Sequence, residues 1–143
     1  MTDLTLAKAL RIITAALAKG KDLGLKPLAV VVLDAGGHVK AFQRQDGASM
    51  MRFEIASGKA YGALALGVGS RWLNAQAETR PHVLEGLSAV SGGKIVAIPG
   101  GVLIRDRKGA IIGAVGITGD TSDNDEIAAI AGIEAAGFTP DGG

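Results

Sequence analysis

The stretch from residue 92 to residue 131 constrains the fold of this chain most. It contains three short runs typical of β-strands, Ile95–Ile98, Val102–Arg105 and Ala110–Thr118. Turns separate them, at Pro99-Gly100-Gly101 and at Asp106-Arg107-Lys108-Gly109. Each turn ends a strand because proline fixes φ near a turn value and glycine reaches the positive φ values that other residues resist. The stretch therefore predicts a β-meander.

A helix is expected after the third run. Polar and acidic residues from Ser122 to Glu126 precede the apolar run Ile127–Ile130. A short polar side chain with an acid three residues later marks a helix start, which fits Asp123 with Glu126 or Ser122 with Asp125. Helix capping is therefore the expected role of Asp123 and Glu126.

The first part of the chain predicts a helix and a β-hairpin. Apolar residues at helical spacing favour a helix over residues 3–19, capped by Thr2 or Asp3. The apolar run 28–34 and the alternating run 39–44 flank a Gly-Gly turn, which is typical of two antiparallel strands.

Two or three helices are expected between the hairpin and the meander: one at Met51–Leu66, one at Ser70–Thr79 with Ser70 as its cap, and a further short turn of helix at Pro81–Val90. In the first of them, Gly58 and Gly62 are four residues apart, so that another backbone can approach closely. The order of elements predicts an α/β (α+β) fold with a five-stranded, mainly antiparallel sheet flanked by helices. The chain ends, including residues 141–143, are expected to fray.

Composition narrows the class of protein. The length of 143 residues predicts a single domain, 1–143. The net charge of +1 gives no reason to expect nucleic acid or an acidic membrane as a partner. The chain has no cysteine, no apolar run long enough to span a bilayer and no secretory pattern at its start, so a cytoplasmic location is expected.

Nucleotide-binding motifs are absent from the sequence. No GxxxxGK[ST] loop occurs, and the glycines of Gly113-Ala114-Val115-Gly116 lie within a predicted strand instead of opening a helix. We therefore expect no nucleotide cofactor.

Two histidines are the candidate metal ligands and proton carriers. His38 follows the Gly-Gly turn and His82 follows Pro81 at a predicted helix start. Each is either a solvent-facing residue or a haem-iron ligand, and His38 is also a candidate general acid or base. With only two histidines, one chain cannot build a multi-histidine metal site.

Other candidates lie in loops and in the second helix. Arg44, Asp46 and Gly47 follow a strand end, where Arg44 either binds a carboxylate or pairs with Asp46. Asp120 precedes the last helix and is a candidate for acid–base work or cation binding. Lys59 is either a surface residue or a desolvated amine facing a pocket.

The chain resembles the GlcG/HbpS-like proteins, which include the C-terminal domain of PduO-type proteins. The matching segments are Val32-Leu33-Asp34-Ala35-Gly36-Gly37-His38, Arg44-Gln45-Asp46-Gly47-Ala48, Ala56 with Lys59-Ala60, Gly92-Gly93, Pro99-Gly100-Gly101-Val102, Gly113-Ala114-Val115-Gly116-Ile117-Thr118-Gly119, and the acidic residues Asp123, Asp125 and Glu126. The resemblance implies a profilin-like three-layer α/β/α fold and assembly into homo-oligomers. Some relatives bind haem and are linked to its degradation or to redox sensing, whereas others are encoded beside glycolate or diol metabolism.

Three functions follow from the resemblance and the residues together. The first is an oligomer that binds haem or a related tetrapyrrole, with His38 or His82 as iron ligand and Arg44, Lys59 or Lys94 pairing the propionates. Gly92 and Gly93 belong to the same expected binding set. Because aromatic residues are scarce, the pocket would be lined by aliphatic side chains.

The second function is a cofactor-independent enzyme for a small carboxylate or hydroxy acid, in which Arg44 anchors the carboxylate. His38, Lys59 or Asp120 would then move a proton. The third is an accessory subunit without pocket chemistry.

Overall fold

Helices and strands follow one another along residues 3–143, which are the residues that the computed structural model describes. In chain order they are α1 (Leu6–Asp22), β1 (Ala29–Asp34), β2 (Val39–Arg44), α2 (Arg52–Leu66), α3 (Ser70–Thr79), α4 (Pro81–Val90), β3 (Gly101–Arg105), β4 (Ile111–Thr118), α5 (Ser122–Ala135) and β5 (Thr139–Asp141). Within the described residues, none of the helices is both long and apolar enough to cross a membrane.

The five strands form one sheet in the order β2-β1-β4-β3-β5. Every neighbouring pair is antiparallel. The β1–β2 hairpin closes at the predicted Gly-Gly turn, where Gly37 has a φ of 82°, a value that glycine adopts without steric cost. The predicted α+β class, with an antiparallel five-stranded sheet flanked by helices, is confirmed.

One predicted strand is wrong. Residues 95–98 form no strand, and the fifth strand is Thr139–Asp141, which pairs with β3 at the sheet edge. Residues 95–98 pass along α2 instead, where the Val96 N–H donates to the Gly58 carbonyl at 3.2 Å. The expected fraying of residues 141–143 is wrong for the same reason: Asp141 belongs to β5, and the Arg71 N–H donates to the Gly142 carbonyl at 3.2 Å.

The caps of three helices, α1, α5 and α3, differ from the predictions. The cap of α1 is Thr5, whose hydroxyl accepts the Lys8 N–H at 3.2 Å. Asp3 is therefore not the cap, and the alternative, Thr2, lies outside the described residues. The cap of α5 is Thr121, which accepts the Asn124 N–H.

Ser70 does not cap α3, because Gly69 occupies the N-cap position. The Ser70 side chain is fully buried and joins the start of α3 to the segment that enters β3. Its hydroxyl donates to the Ile98 carbonyl and accepts the Gly101 N–H, each at 2.7 Å. Ser70 therefore fixes the chain where it enters β3.

The sheet lies between two helical layers. Side chains of a strand alternate between its faces, so Val30 and Val32 face α1 and α5, whereas Val31 and Leu33 face α2. The α1–α5 side holds the larger core, which is built mainly from Ile, Leu and Val. On the other side α2 presents three alanines, Ala56, Ala60 and Ala63, which brings its backbone close to the sheet.

Candidate functional site

A cleft of about 470 Å³ lies between α2 and the irregular segment 93–96. We call it the α2 cleft. Its lining residues are Leu33, Gly37, Val39, Met51, Phe53, Glu54, Ile55, Ser57, Gly58, Tyr61, Gly93, Lys94 and Val96. Most of these side chains are apolar, as in ordinary ligand sites, which combine an apolar wall with a few polar groups.

One helical face supplies much of the wall. Met51, Ile55, Gly58 and Tyr61 recur at steps of three and four residues along α2, so they share a face. This face is distinct from the alanines that pack on the sheet. The β1–β2 hairpin closes one side of the cleft through Leu33 and Val39.

Two glycines hold the opposite wall against α2. A Cβ at Gly58 would overlap Val96, and a Cβ at Gly62 would lie 3.1 Å from Ile95 Cγ2. Gly62 makes room for the side chains of Leu73 and Ile95, whereas the predicted close approach of another backbone is observed at Gly58, where a Cβ would lie 3.1 Å from the Lys94 carbonyl oxygen. This contact seats Lys94 at the rim of the cleft.

Lys94 is the positive group of the α2 cleft. Its ammonium lies 5.6 Å from the centre of the Tyr61 ring, within the range of a cation–π contact. Glu54 is exposed at the same cleft, and the buried Ser57 hydroxyl oxygen has no hydrogen-bond partner within residues 3–143. Lys94 can therefore pair with an anionic group beside an apolar surface, although Glu54 places a negative charge at the same cleft.

Lys59 and Asp125 form an ion pair inside the protein, away from the α2 cleft. Their side chains are each 1% exposed, and Nζ lies 3.1 Å from Asp125 Oδ2. Nζ also donates to the Ile117 carbonyl at 2.8 Å, while Asp125 Oδ1 accepts the Asp120 N–H at 3.0 Å. Burial lowers the pKa of the Lys59 ammonium and raises the pKa of the Asp125 carboxyl, because desolvation disfavours both charges.

In the sequence Lys59 is open to two predictions, a surface position and a desolvated amine that faces a pocket. The predicted surface position is wrong, because the side chain is buried. The desolvated amine is present, but it faces a carboxylate instead of a pocket. The pair joins α2 to the end of β4 and the start of α5. Lys59 therefore has a structural position in this fold.

The two histidines lie outside the α2 cleft. His38 is 83% exposed at its side chain, and its Nδ1 lies 3.4 Å from Asp34 Oδ1. The backbone N–H of His38 also donates to Asp34, and this bond is the main cause of the lowered pKa of that carboxyl. His82 is exposed on α4. The structure does not bring either histidine to Lys94.

The loop of Arg44, Asp46 and Gly47 lies on the α1 side of the sheet. Arg44 and Asp46 line a separate, open groove with α1. The Arg44 guanidinium donates to the Ala48 carbonyl at 2.6 Å, so it braces its own loop and is not paired with Asp46. A Cβ at Gly47 would lie 3.3 Å from Pro27. These residues are therefore separated from the α2 cleft by the sheet.

Asp123 and Glu126 do not cap α5 as expected. Both pair with Arg71 of α3, whose Nε lies 3.1 Å from Glu126 Oε2. They join α3 to the start of α5.

Asp120 ties the loop before α5 to the chain before β1. Its carboxylate accepts the Asn124 amide at 2.8 Å, the Lys26 N–H at 2.9 Å and the Thr121 N–H at 2.8 Å. These bonds, that of Asn124 first, lower the pKa of Asp120 from 3.8 to about 2. The geometry is that of a structural carboxylate.

We expect the Asp120→Asn protein to lose less stability than the wild type when the pH is lowered. The folded pKa is below the unfolded value, so the contribution of the carboxylate is present above about pH 4 and is lost as the pH falls towards 2. Urea midpoints at about pH 5 and about pH 3 should differ less in Asp120→Asn than in the wild type. Asp46→Asn is the control, because the Asp46 carboxylate does not make the three hydrogen bonds that Asp120 makes. An equal acid loss in Asp120→Asn and the wild type would contradict this role.

Of the expected binding residues, only Gly93 and Lys94 line the α2 cleft, with Gly92 beside them at a φ of 73°. The residues that sequence reasoning missed are mainly Met51, Phe53, Ile55 and Val96. Met51 and Ile55 follow the four-residue spacing of one helical face, a signal shared by any helix that packs on a neighbour, whereas Phe53 and Val96 have no such signal.

Comparisons with known proteins agree with this fold. The sequence model of one family, described as haem degrading protein HbpS-like, matches residues 4–134. An uncharacterized 15.0 kDa protein from the dhaT-dhaS intergenic region of Citrobacter freundii is 31% identical over 129 residues, covering 90% of this chain and 89% of its own.

Two solved structures are similar over nearly the whole chain. The complex of PduOC with heme has a TM-score of 0.85 at 28% identity and covers 96% of this chain and 97% of its own. The Klebsiella pneumoniae protein ORFY has a TM-score of 0.84 at 26% identity, with 96% and 93% covered. From the match of the family model over residues 4–134, the chain belongs to the HbpS-like family of haem-degrading proteins.

Proposed function

We propose that this protein binds haem or a related tetrapyrrole in the α2 cleft, with residues 1–143 acting as one domain. The observation that carries the proposal is the combination of an apolar cleft with a single lysine, Lys94, at its rim. A porphyrin has the matching chemistry, because its ring is apolar and its propionates are anionic. The membership of the HbpS-like family and the similarity to a heme complex support the choice of ligand.

The cleft fits a porphyrin in part. Its apolar wall, which includes Phe53, Ile55 and Val96, suits the ring, and Lys94 suits a propionate. Neither histidine lines the cleft, so the expected ligation by His38 or His82 has no geometric support within one chain. A bound haem would supply redox-active iron, while the residues described here would bind and orient the ring.

The alternative of a small-acid enzyme is not favoured by the geometry. Its candidate residues lie apart: Arg44 in the α1 groove, His38 on the hairpin, Lys59 in the interior and Asp120 in a hydrogen-bonded loop. A nucleophile or base needs its partner within hydrogen-bond reach. We therefore propose binding and assign no catalytic residue.

A hemin titration tests the proposal. We expect a saturable Soret change at one porphyrin per chain. Lys94→Met should weaken binding about three- to fivefold, because an exposed ion pair contributes up to about 1 kcal/mol. Lys108→Met is the matched control: it removes the same charge from an exposed turn that does not line the cleft. Non-saturable binding, or equal losses in both variants, would contradict the proposal.

We also propose that the protein assembles with itself through α4. None of the residues of α4 is buried, and this helix packs only against α3 among the described elements. Val90 is 86% exposed. Three further apolar residues of the same helix, Val83, Leu84 and Leu87, are also not buried. An apolar helix left on the surface is typical of a protein–protein contact.

Light scattering tests the assembly. The wild type should have a mass that is a multiple of 14.4 kDa, and Val90→Glu should shift it towards 14.4 kDa. Leu23→Glu introduces the same charge at another exposed apolar position, at the end of α1, and should leave the mass unchanged. A wild type that stays at 14.4 kDa at high concentration would disprove self-assembly.

A further inference from the structure

The donor atoms of the α2 cleft differ from those expected of a haem-iron site. The chain has two histidines, and neither lines the cleft. The His38 side chain points to solvent beside Asp34, and His82 is exposed on α4. There is no cysteine in the sequence. The two strongest iron ligands of haem proteins, imidazole and thiolate, are therefore missing from the cleft.

Met51 and Tyr61 are the remaining side chains of the cleft that ligate haem iron in other proteins. Met51 is 60% exposed, so its thioether is not held by surrounding atoms in one position. Tyr61 carries the Lys94 ammonium over its ring at 5.6 Å. An ammonium placed there attracts an anionic group, such as a carboxylate, to the Tyr61 side of the cleft.

Besides these two side chains, the cleft offers its apolar wall and Lys94, which is exposed at its side chain but is seated at the rim by its backbone. Segment 94–96 is fixed on α2 by the Val96–Gly58 hydrogen bond and by the absence of side chains at Gly58 and Gly62. Burial of apolar ring surface is non-directional, and a lysine pairs a carboxylate whatever metal the ring holds. Both interactions are the same for a porphyrin with or without iron.

We propose that the α2 cleft recognises the porphyrin ring and its carboxylate, and that iron adds little to the affinity. The ligand class is therefore anionic porphyrins in general, iron-free ones included. This inference rests on the proposed function and specifies its ligand.

The test compares hemin with iron-free protoporphyrin IX on the full-length protein. Protoporphyrin binding is followed by its fluorescence, and hemin is measured as a competitor and by its Soret band. We expect the two dissociation constants to agree within about fivefold. A fivefold ratio corresponds to about 1 kcal/mol, the binding free energy of one weak contact. His38→Ala and His82→Ala should leave both constants unchanged, whereas Lys94→Met should weaken both equally.

Hemin binding that is more than about fivefold tighter than protoporphyrin binding would overturn the inference. If His38→Ala or His82→Ala then removed the difference, that histidine would be the iron ligand. Met51→Leu and Tyr61→Phe test the two cleft side chains in the same way. In these cases the proposed function stands, because hemin still binds. If neither porphyrin binds, the proposed function and this inference both fail.

Discussion

Replacing Lys59 by methionine is expected to lower the free energy of unfolding by about 3–5 kcal/mol, because breaking a buried ion pair leaves one charge without compensation. The remaining Asp125 carboxylate would be 1% exposed, with the Asp120 N–H still donating to it. The lost ammonium also leaves the Ile117 carbonyl without its 2.8 Å donor. Urea unfolding followed by circular dichroism measures the loss.

Two control variants separate this effect from a general sensitivity to mutation. Lys59→Met combined with Asp125→Leu removes both charges and should recover most of the stability, because apolar replacements of buried pairs are often neutral. Asp123→Asn breaks the pair of Arg71 with a carboxylate whose side chain is 75% exposed, leaves the pair with Glu126 in place, and should cost about 1 kcal/mol or less. A loss below about 1 kcal/mol for Lys59→Met alone would contradict the structural role of this pair.

Gly116→Ala is expected to destabilise the protein by about 3 kcal/mol, the upper end of the usual cost of overpacking. A Cβ at Gly116 would overlap the Ala56 carbonyl oxygen and lie 3.1 Å from the Ala60 Cβ. The atom that it meets is backbone, so no side-chain rotation relieves the contact. The whole of α2 would have to move away from β4.

Gly86→Ala is the matched control for this variant. Gly86 lies within α4, and a Cβ there meets nothing within 4 Å. Alanine should therefore stabilise the helix by up to about 1 kcal/mol, since glycine is the poorer helix former. Thermal and urea unfolding of both variants checks the pair of predictions. A Gly116→Ala protein within about 0.5 kcal/mol of the wild type would show that α2 does not pack as described.

Local signals predicted most of the fold correctly. Helical spacing located α2, α3 and α4, and the Gly-Gly turn located the first hairpin. Periodicity failed at residues 95–98, because an apolar run of four residues fits a strand or any extended segment that packs on a helix. The contact of this run with Gly58 and Gly62 decides between a strand and an extended segment. This contact is tertiary, so local periodicity does not contain it.

The last strand had no usable signal. Thr139–Asp141 is only three residues long and contains Pro140, which argues against a strand in sequence. Proline is accepted there because β5 lies at the edge of the sheet and, among the strands of residues 3–143, pairs only with β3. The profilin-like description and the single domain 1–143 stay predictions.

The candidate site was harder to predict than the fold. The sequence alone groups Arg44 and Lys94 in one binding set, but the loop of Arg44 lies on the α1 side and Lys94 on the α2 side. In the sequence Asp125 fits a helix start, and nothing local points to its partner Lys59, which is 66 residues away. Charged residues far apart in sequence can be paired only when the packing of α2 against β4 is known.

The central claim is that a porphyrin binds in the α2 cleft, and locating a bound porphyrin tests it most directly. Isoleucine-methyl NMR spectra of the labelled protein, recorded with and without iron-free protoporphyrin IX, measure this through the ring-current shifts of nearby methyl groups. We predict a large shift for Ile55, which lines the α2 cleft, and none for Ile13, which is buried on the opposite face of the sheet. A shift confined to isoleucines of the α1–α5 side, with Ile55 unchanged, would place the ligand elsewhere and contradict the account.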